Sequence, residues 1–249
     1  MKHIPDVFNA ILFGILLVLP LAEARWNWPR YLRRLADGEP GARLQHFRSL
    51  LIWEWVLTLG FLASWAGSRR PWSDLLVGHA SATQTMLFLS CAILFILVFW
   101  WQRRQILARP AVVERLENRL DYAKPLLPQT PGERRVFWGV AATAGICEET
   151  LYRGFLTWYL AGWTGPWVAI VLSSMIFGLG HVYLGVAQVP RTFFVGLVLA
   201  LLTYFSGSLC PAIVLHAALD WNSGELGYAI LSKAGNPEIA TAEGSAGVV

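Results

Sequence analysis

Glu148 and Glu149 stand side by side in CEETLYRG, residues 147–154, and Arg153 follows four residues after the second glutamate. The surrounding run from Phe137 to Ala161 is otherwise apolar. Two further stretches place histidines in similar surroundings. MIFGLGHVY, residues 175–183, sets Phe177 and His181 four apart, and VLHAALDWN, residues 214–222, sets His216 and Asp220 four apart. Carboxylates and imidazoles move protons near neutral pH, and both also ligate metals.

An ionised side chain at mid-membrane costs roughly 2.5–3.5 kcal/mol. Groups of this kind must therefore face protein, water or each other. Helix geometry sorts them. Glu149 and Arg153 lie about 40° apart around an α-helix and can pair. Glu148 lies about 100° from Glu149 and cannot easily share that bridge. The division is a structural ion pair beside a free carboxylate, and a buried carboxylate without a close cation suits a general base. Cys147 points about 100° from Glu148, and nothing marks its thiol as activated. Blander readings exist for each site alone: a helix lock for Glu149–Arg153, a polar residue near a span end for His181, a mutual bond for His216 and Asp220. Glu54 and Glu225 read as structural or water-facing. The functional case rests on polar sites recurring on three separate apolar segments.

The elements that carry these residues follow from composition. Of 249 residues, 55% are hydrophobic and only 14% charged, with a mean hydropathy of +0.48. A soluble domain carries nearer a quarter charged residues. Apolar runs approach twenty residues, enough to cross a bilayer. The expectation is an all-α, polytopic transmembrane helical bundle of about seven spans (six to eight), near 7–24, 49–67, 81–101, 137–161, 164–183, 191–206 and 210–231. The alternating pattern of a membrane β-barrel is absent. Tryptophans near the ends (Trp26, Trp28, Trp65, Trp100, Trp101, Trp163, Trp167) read as interfacial anchors. Cys91, Cys147 and Cys210 lie in or beside apolar runs and read as buried thiols.

The net charge of +4 sits in loops, so the positive-inside rule explains it better than nucleic acid does. Residues 25–48 hold six Arg and 102–136 hold eight Lys or Arg, against two in 68–80. That bias puts the N-terminus outside and the C-terminus in the cytoplasm of an integral multi-pass protein, in a bacterial cytoplasmic or ER-type membrane. Lys2, an apolar run and Ala22-Glu23-Ala24 also resemble a cleavable signal, but cleavage would leave the Arg-rich 25–48 segment outside. An interfacial amphipathic helix is expected over roughly 111–122, ahead of the span that carries Glu148. Three regions result: an N-terminal transmembrane region over 1–129, a core over 130–231, and a tail over 232–249 expected to be disordered.

EETLYR at 148–153, FGLGH at 177–181 and HAALD at 216–220 together resemble the EExxxR, FxxxH and Hxxx[ND] motifs of the CAAX-protease and bacteriocin-processing family of intramembrane proteases. The resemblance covers roughly 130–231. It implies a helical core with a catalytic cavity inside the membrane, acting as an intramembrane endopeptidase. Glu148 would activate water with help from His181, His216 and Asp220 would stabilise the oxyanion, and Glu149 and Arg153 would hold the site together, with Phe177 supporting. Asp220 departs from the Asn of the CAAX endopeptidase. An ionised Asp cannot donate a hydrogen bond, so Asp220 is protonated, orients His216, or does something else.

The family has been argued to be metal-dependent and also to be a glutamate peptidase. His181, His216 and a carboxylate from Glu148 or Asp220 would suit zinc with an open position. There is no HExxH, and the metal-free scheme is favoured. The substrate would be a membrane-associated peptide or protein, prenylated or bearing a leader, with the lipid bilayer as the other partner. Two further readings remain: a non-enzymatic membrane immunity or assembly protein of the same fold, and a proton-coupled carrier. One difficulty is geometric. On these boundaries His181 and His216 differ in depth by roughly 15 Å, so a single site needs tilted or irregular helices, which Pro190 and Pro211 allow.

Overall fold

A computed structural model describes residues 7–75 and 81–235, and everything described is helix, turn or short connection. Helix α1 (Val7–Ala22) runs through a π-helical turn, Glu23–Asn27, into α2 (Trp28–Ala36). The Arg-rich stretch expected as a loop over 25–48 is therefore helical, broken only at 37–41, where Gly38 and Gly41 take left-handed φ of 68° and 76°. Next come α3 (Ala42–Gly67) and α4 (Ala82–Leu107), then α5 (Pro110–Glu117). The expected amphipathic helix is thus shorter than foreseen, and residues 118–123 form turns before the 3₁₀ turn Lys124–Leu126.

The motif-bearing half begins with α6 (Pro131–Glu148). Its start is fixed by a capping box: Thr130 Oγ1 accepts from the Glu133 amide at 3.2 Å, and Glu133 Oε2 accepts from the Thr130 amide at 3.1 Å. The chain then passes through the π-helix Glu149–Leu156 into α7 (Thr157–Thr164). Gly165, with φ 81°, and Pro166 turn it into α8 (Pro166–Gly180). Two 3₁₀ turns, Val182–Leu184 and Val186–Gln188, lead to α9 (Val189–Ser206), and Gly207 (φ 65°) precedes α10 (Cys210–Gly235). Residues 232–235 continue this helix, contrary to the expected tail. The rest of that tail lies outside the described residues.

All seven expected spans are helical. Among the described residues, four stretches are long and apolar enough to cross a membrane: Val7–Ala36, Ala42–Gly67, Ala82–Leu107 and Val186–Ser206. Only 6% of the apolar window of α4 is buried within the protein, so its Leu87, Leu94, Phe95 and Leu97 face outward, as lipid-facing side chains do. Among the expected anchors, Trp26, Trp100, Trp101, Trp163 and Trp167 are exposed, but Trp28 and Trp65 are buried. Trp65 packs on Phe61 and Trp158 inside the bundle, where its area is worth more than at an interface. Of the cysteines, Cys147 is buried, while Cys91 and Cys210 are exposed on the outer faces of their helices.

The central helix is α10, which packs against α6, α4 and α9, while α3 covers the other side of α6 and α8 lies against α9 and α7. Small residues set the α6–α10 spacing. A Cβ on Gly145 would lie 2.8 Å from the Ala217 Cβ and 2.9 Å from the Ile213 carbonyl oxygen, so only glycine permits this approach. The first half of the chain completes the same core: Leu12, Leu16, Phe61, Trp65 and Leu75 cluster with Leu151, Tyr152, Phe155, Leu156 and Phe177.

Candidate active site

The site begins where α6 changes winding. From Glu149 to Leu156 the backbone is π-helical, and all eight residues are buried. A π-turn closes at i+5, so each residue advances less around the axis than in an α-helix. Residues four apart come closer to eclipsed than the 100° spacing implies. Threonines at both ends take carbonyls: Thr150 Oγ1 donates to Ile146 O at 2.7 Å and Thr157 Oγ1 to Tyr152 O at 2.9 Å. Such wide turns recur at functional sites.

Within this segment Arg153 Nη1 lies 2.8 Å from Glu149 Oε1, with the two side chains 1% and 0% exposed. The other guanidinium nitrogen, Nη2, donates to the Gly196 carbonyl at 3.1 Å, and the guanidinium carbon sits 4.1 Å from the centre of the Phe177 ring. Gly196 is a site residue that the motifs do not include. A Cβ there would be 2.9 Å from Phe177 Cδ1 and 3.1 Å from Arg153 Nη2. A lone glycine inside an otherwise apolar helix was the available sequence signal.

Glu149 Oε1 also holds His216 Nδ1, at 2.7 Å. The carboxylate that takes the Arg153 guanidinium can only accept, so Nδ1 carries the hydrogen and the imidazole orientation is fixed. Its other nitrogen, Nε2, then faces Asp220 Oδ2 at 3.7 Å and Glu148 Oε2 at 3.9 Å. Both distances exceed a hydrogen bond. Exposure divides the group. Glu149, Arg153 and His216 form a buried floor, while the side chains of Glu148 and Asp220 are 22% and 41% exposed.

His181 ends α8. Its Nδ1 bonds the Phe177 carbonyl oxygen at 2.9 Å, which takes one of the helix's last unpaired acceptors. A carbonyl only accepts, so Nδ1 again carries the hydrogen and Nε2 of the neutral ring carries the lone pair. The Phe177 ring centroid is 4.9 Å from that of His181 and 5.9 Å from that of His216. Both imidazoles therefore border one phenyl ring, which brings them closer than the depth difference expected from the span boundaries. The structure thus gathers Glu148, Glu149, Arg153, Phe177, His181, His216 and Asp220 in one place, without a hydrogen bond between His181 and Glu148.

Glu225 lies apart from this group. Arg134 donates to it twice, at 2.8 and 2.6 Å, and Trp138 Nε1 donates at 2.8 Å, so it ties α6 to α10. Glu54 on α3 lies within electrostatic reach of Glu148, Asp220 and His216. For a metal, each histidine has one nitrogen already engaged and offers only Nε2. Among the described residues no three His, Cys, Asp or Glu groups converge in an arrangement that could hold an ion.

Residues 132–222, well under half of the chain, match the family model described as Type II CAAX prenyl endopeptidase Rce1-like. Neither the curated proteins nor the solved structures returned a match. The matched segment contains all seven of the gathered side chains and excludes α1 to α5.

Proposed function

We propose, from the match of residues 132–222 to the Type II CAAX prenyl endopeptidase Rce1-like model, that the protein is an intramembrane endopeptidase whose water-activating group is Glu148. The observation that carries this reading is the separation of roles by burial. Glu149 is spent on Arg153 and His216, whereas Glu148 stays partly open beside His216 Nε2.

The reaction uses side chains and water. Glu148 takes a proton from water as the oxygen attacks the carbonyl carbon of the scissile bond. The carbonyl oxygen becomes an oxyanion, stabilised by His216 with hydrogen on Nε2. Glu149 and Arg153 keep that imidazole aimed and supply compensating charge. Asp220, 3.7 Å from Nε2, fits a role in orienting and balancing His216 better than one in donating to the oxyanion. His181 offers its Nε2 lone pair to the attacking water. The proton on Glu148 then passes to the amide nitrogen as the C–N bond breaks.

The substrate is a membrane-associated peptide or protein, prenylated or carrying a leader. The outside N-terminus and cytoplasmic C-terminus follow from the Lys and Arg bias. Cleavage of a membrane-anchored peptide by the purified protein, lost in Glu148→Ala, tests the assignment. Full activity in that variant would sink the assignment, and an intact cellular phenotype in both Glu148→Ala and His181→Ala would favour a non-enzymatic assembly role.

A further inference from the structure

His181 stands where regular structure ends. It caps α8 and leads into two 3₁₀ turns joined at Gly185, whose φ is 105°. The bond from Nδ1 to the Phe177 carbonyl sets how the ring is turned, but the backbone beneath it has no α-helical ladder beyond Gly180. Other rings support it. Tyr183, two residues on, lies at 26° to the imidazole with ring centroids 6.1 Å apart. Tyr183 in turn meets Trp28 of α2, with centroids 5.0 Å apart. Both separations lie in the range at which aromatic rings attract. Trp28 is held from behind. Its ring is 5.5 Å from Tyr31 and 6.0 Å from His46 of α3, and Tyr31 and His46 stack at 4.0 Å. Tyr31 Oη donates to the Pro125 carbonyl at 2.6 Å, which also accepts from Arg43 Nε at 3.2 Å. Arg43 Nη1 reaches Glu133 Oε1 at 3.4 Å, and Glu133 closes the capping box of α6. An unbroken series of contacts thus runs from the start of α6, whose last residue is Glu148, to the ring of His181. Trp28, Tyr31, Arg43 and His46 all precede the matched segment.

We propose that Trp28 is a positioning residue for the cleavage reaction, which through Tyr183 fixes the place of His181 relative to the helix that carries Glu148. Trp28 is 7% exposed, so it offers almost no surface to a peptide and acts through its neighbours. Removing the indole leaves a cavity into which Tyr183 shifts, and His181, one residue from Tyr183, shifts with it. A misplacement of about 1 Å is enough to cost about 100-fold in rate. The α1–α2 segment is then a working part of the site rather than a membrane anchor alone. The catalytic consequence rests on the reading of His181 as a partner of the attacking water; the Trp28–Tyr183–His181 contact itself does not.

NMR of the purified, full-length protein carrying histidine labelled with carbon-13 at Cε1 tests the contact without substrate, because ring currents shift the signal of a neighbouring imidazole. Single His→Gln variants assign the signals. Trp28→Ala should move the signal of His46, which it touches, and that of His181, which it reaches through Tyr183, and should leave that of His216 in place. Trp28→Phe should bring the His181 signal most of the way back. Trp28→Leu, which fills more of the space, replaces Trp28→Ala should the latter fail to fold. In cleavage assays Trp28→Ala and Tyr183→Leu should each lower kcat about 10- to 100-fold with KM little changed, and Trp28→Phe should recover most of kcat. A Trp28 that only stabilises the fold would lower the yield of folded protein and leave both kcat and the His181 signal unchanged, which would overturn the proposal. A raised KM at unchanged kcat would also overturn it, making Trp28 a substrate contact. The expected signal pattern in a protein that cleaves nothing would support the contact and overturn the protease reading instead.

Discussion

Glu149 and His216 meet through a single oxygen: Oε1 of the glutamate lies 2.7 Å from the imidazole Nδ1 and 2.8 Å from the Arg153 guanidinium. One buried acceptor thus joins the π-helix to α10 and sets which nitrogen of His216 faces the open side of the site.

This junction predicts a coupled stability effect. Removing one member of a buried ion pair leaves an uncompensated charge and costs about 3–5 kcal/mol. Arg153→Met and Glu149→Gln should each lower the unfolding temperature markedly. The double variant Glu149→Gln/Arg153→Met should be less destabilised than the two single effects combined. Thermal unfolding in one detergent checks this; simple additivity would show that the two residues do not act as a unit.

Glu148 should behave differently. Glu148→Gln keeps the shape of the side chain and removes the base, so the peptide-cleavage rate should fall about 100- to 10,000-fold. Its unfolding temperature should stay close to that of wild type, because no hydrogen bond to Glu148 Oε2 is lost. A large stability loss would move Glu148 into the structural group with Glu149.

Gly196 gives a steric prediction. Gly196→Ala pushes a methyl group towards Phe177 and Arg153 Nη2, and overpacking of this kind costs about 1–3 kcal/mol. Gly14→Ala meets nothing within 4 Å and serves as the control. Activity and unfolding temperature should both drop in the first and hold in the second. Equal behaviour would mean that α9 does not constrain the guanidinium.

Metal dependence separates two chemistries. The proposed scheme expects the purified protein to retain cleavage after exhaustive treatment with a strong chelator, with metal analysis in parallel. Activity lost on chelation and restored by zinc would assign His181 and His216 Nε2 to a metal instead.

Much of this was legible in the chain. The helical class followed from hydropathy, and the pairing of Glu149 with Arg153 from their four-residue spacing, which holds the two on one side of either an α- or a π-turn. The break expected at 162–163 falls instead at Gly165-Pro166, where a left-handed φ and a proline end one helix and start the next. The Arg-rich 25–48 stretch misled for an opposite reason: charge suggests a loop, but Arg sits well in a helix that leaves the membrane.

What only the tertiary structure decided are relationships between distant residues. The oxygen shared by Arg153 and His216 and the Gly196 carbonyl under the guanidinium join positions 43 to 67 residues apart. Periodicity fixes the face of a helix but not the neighbour it meets or the offset between them. The two histidines border the Phe177 ring across helices that close packing brings together, at Gly145 between α6 and α10 and at Gly178 between α8 and α9.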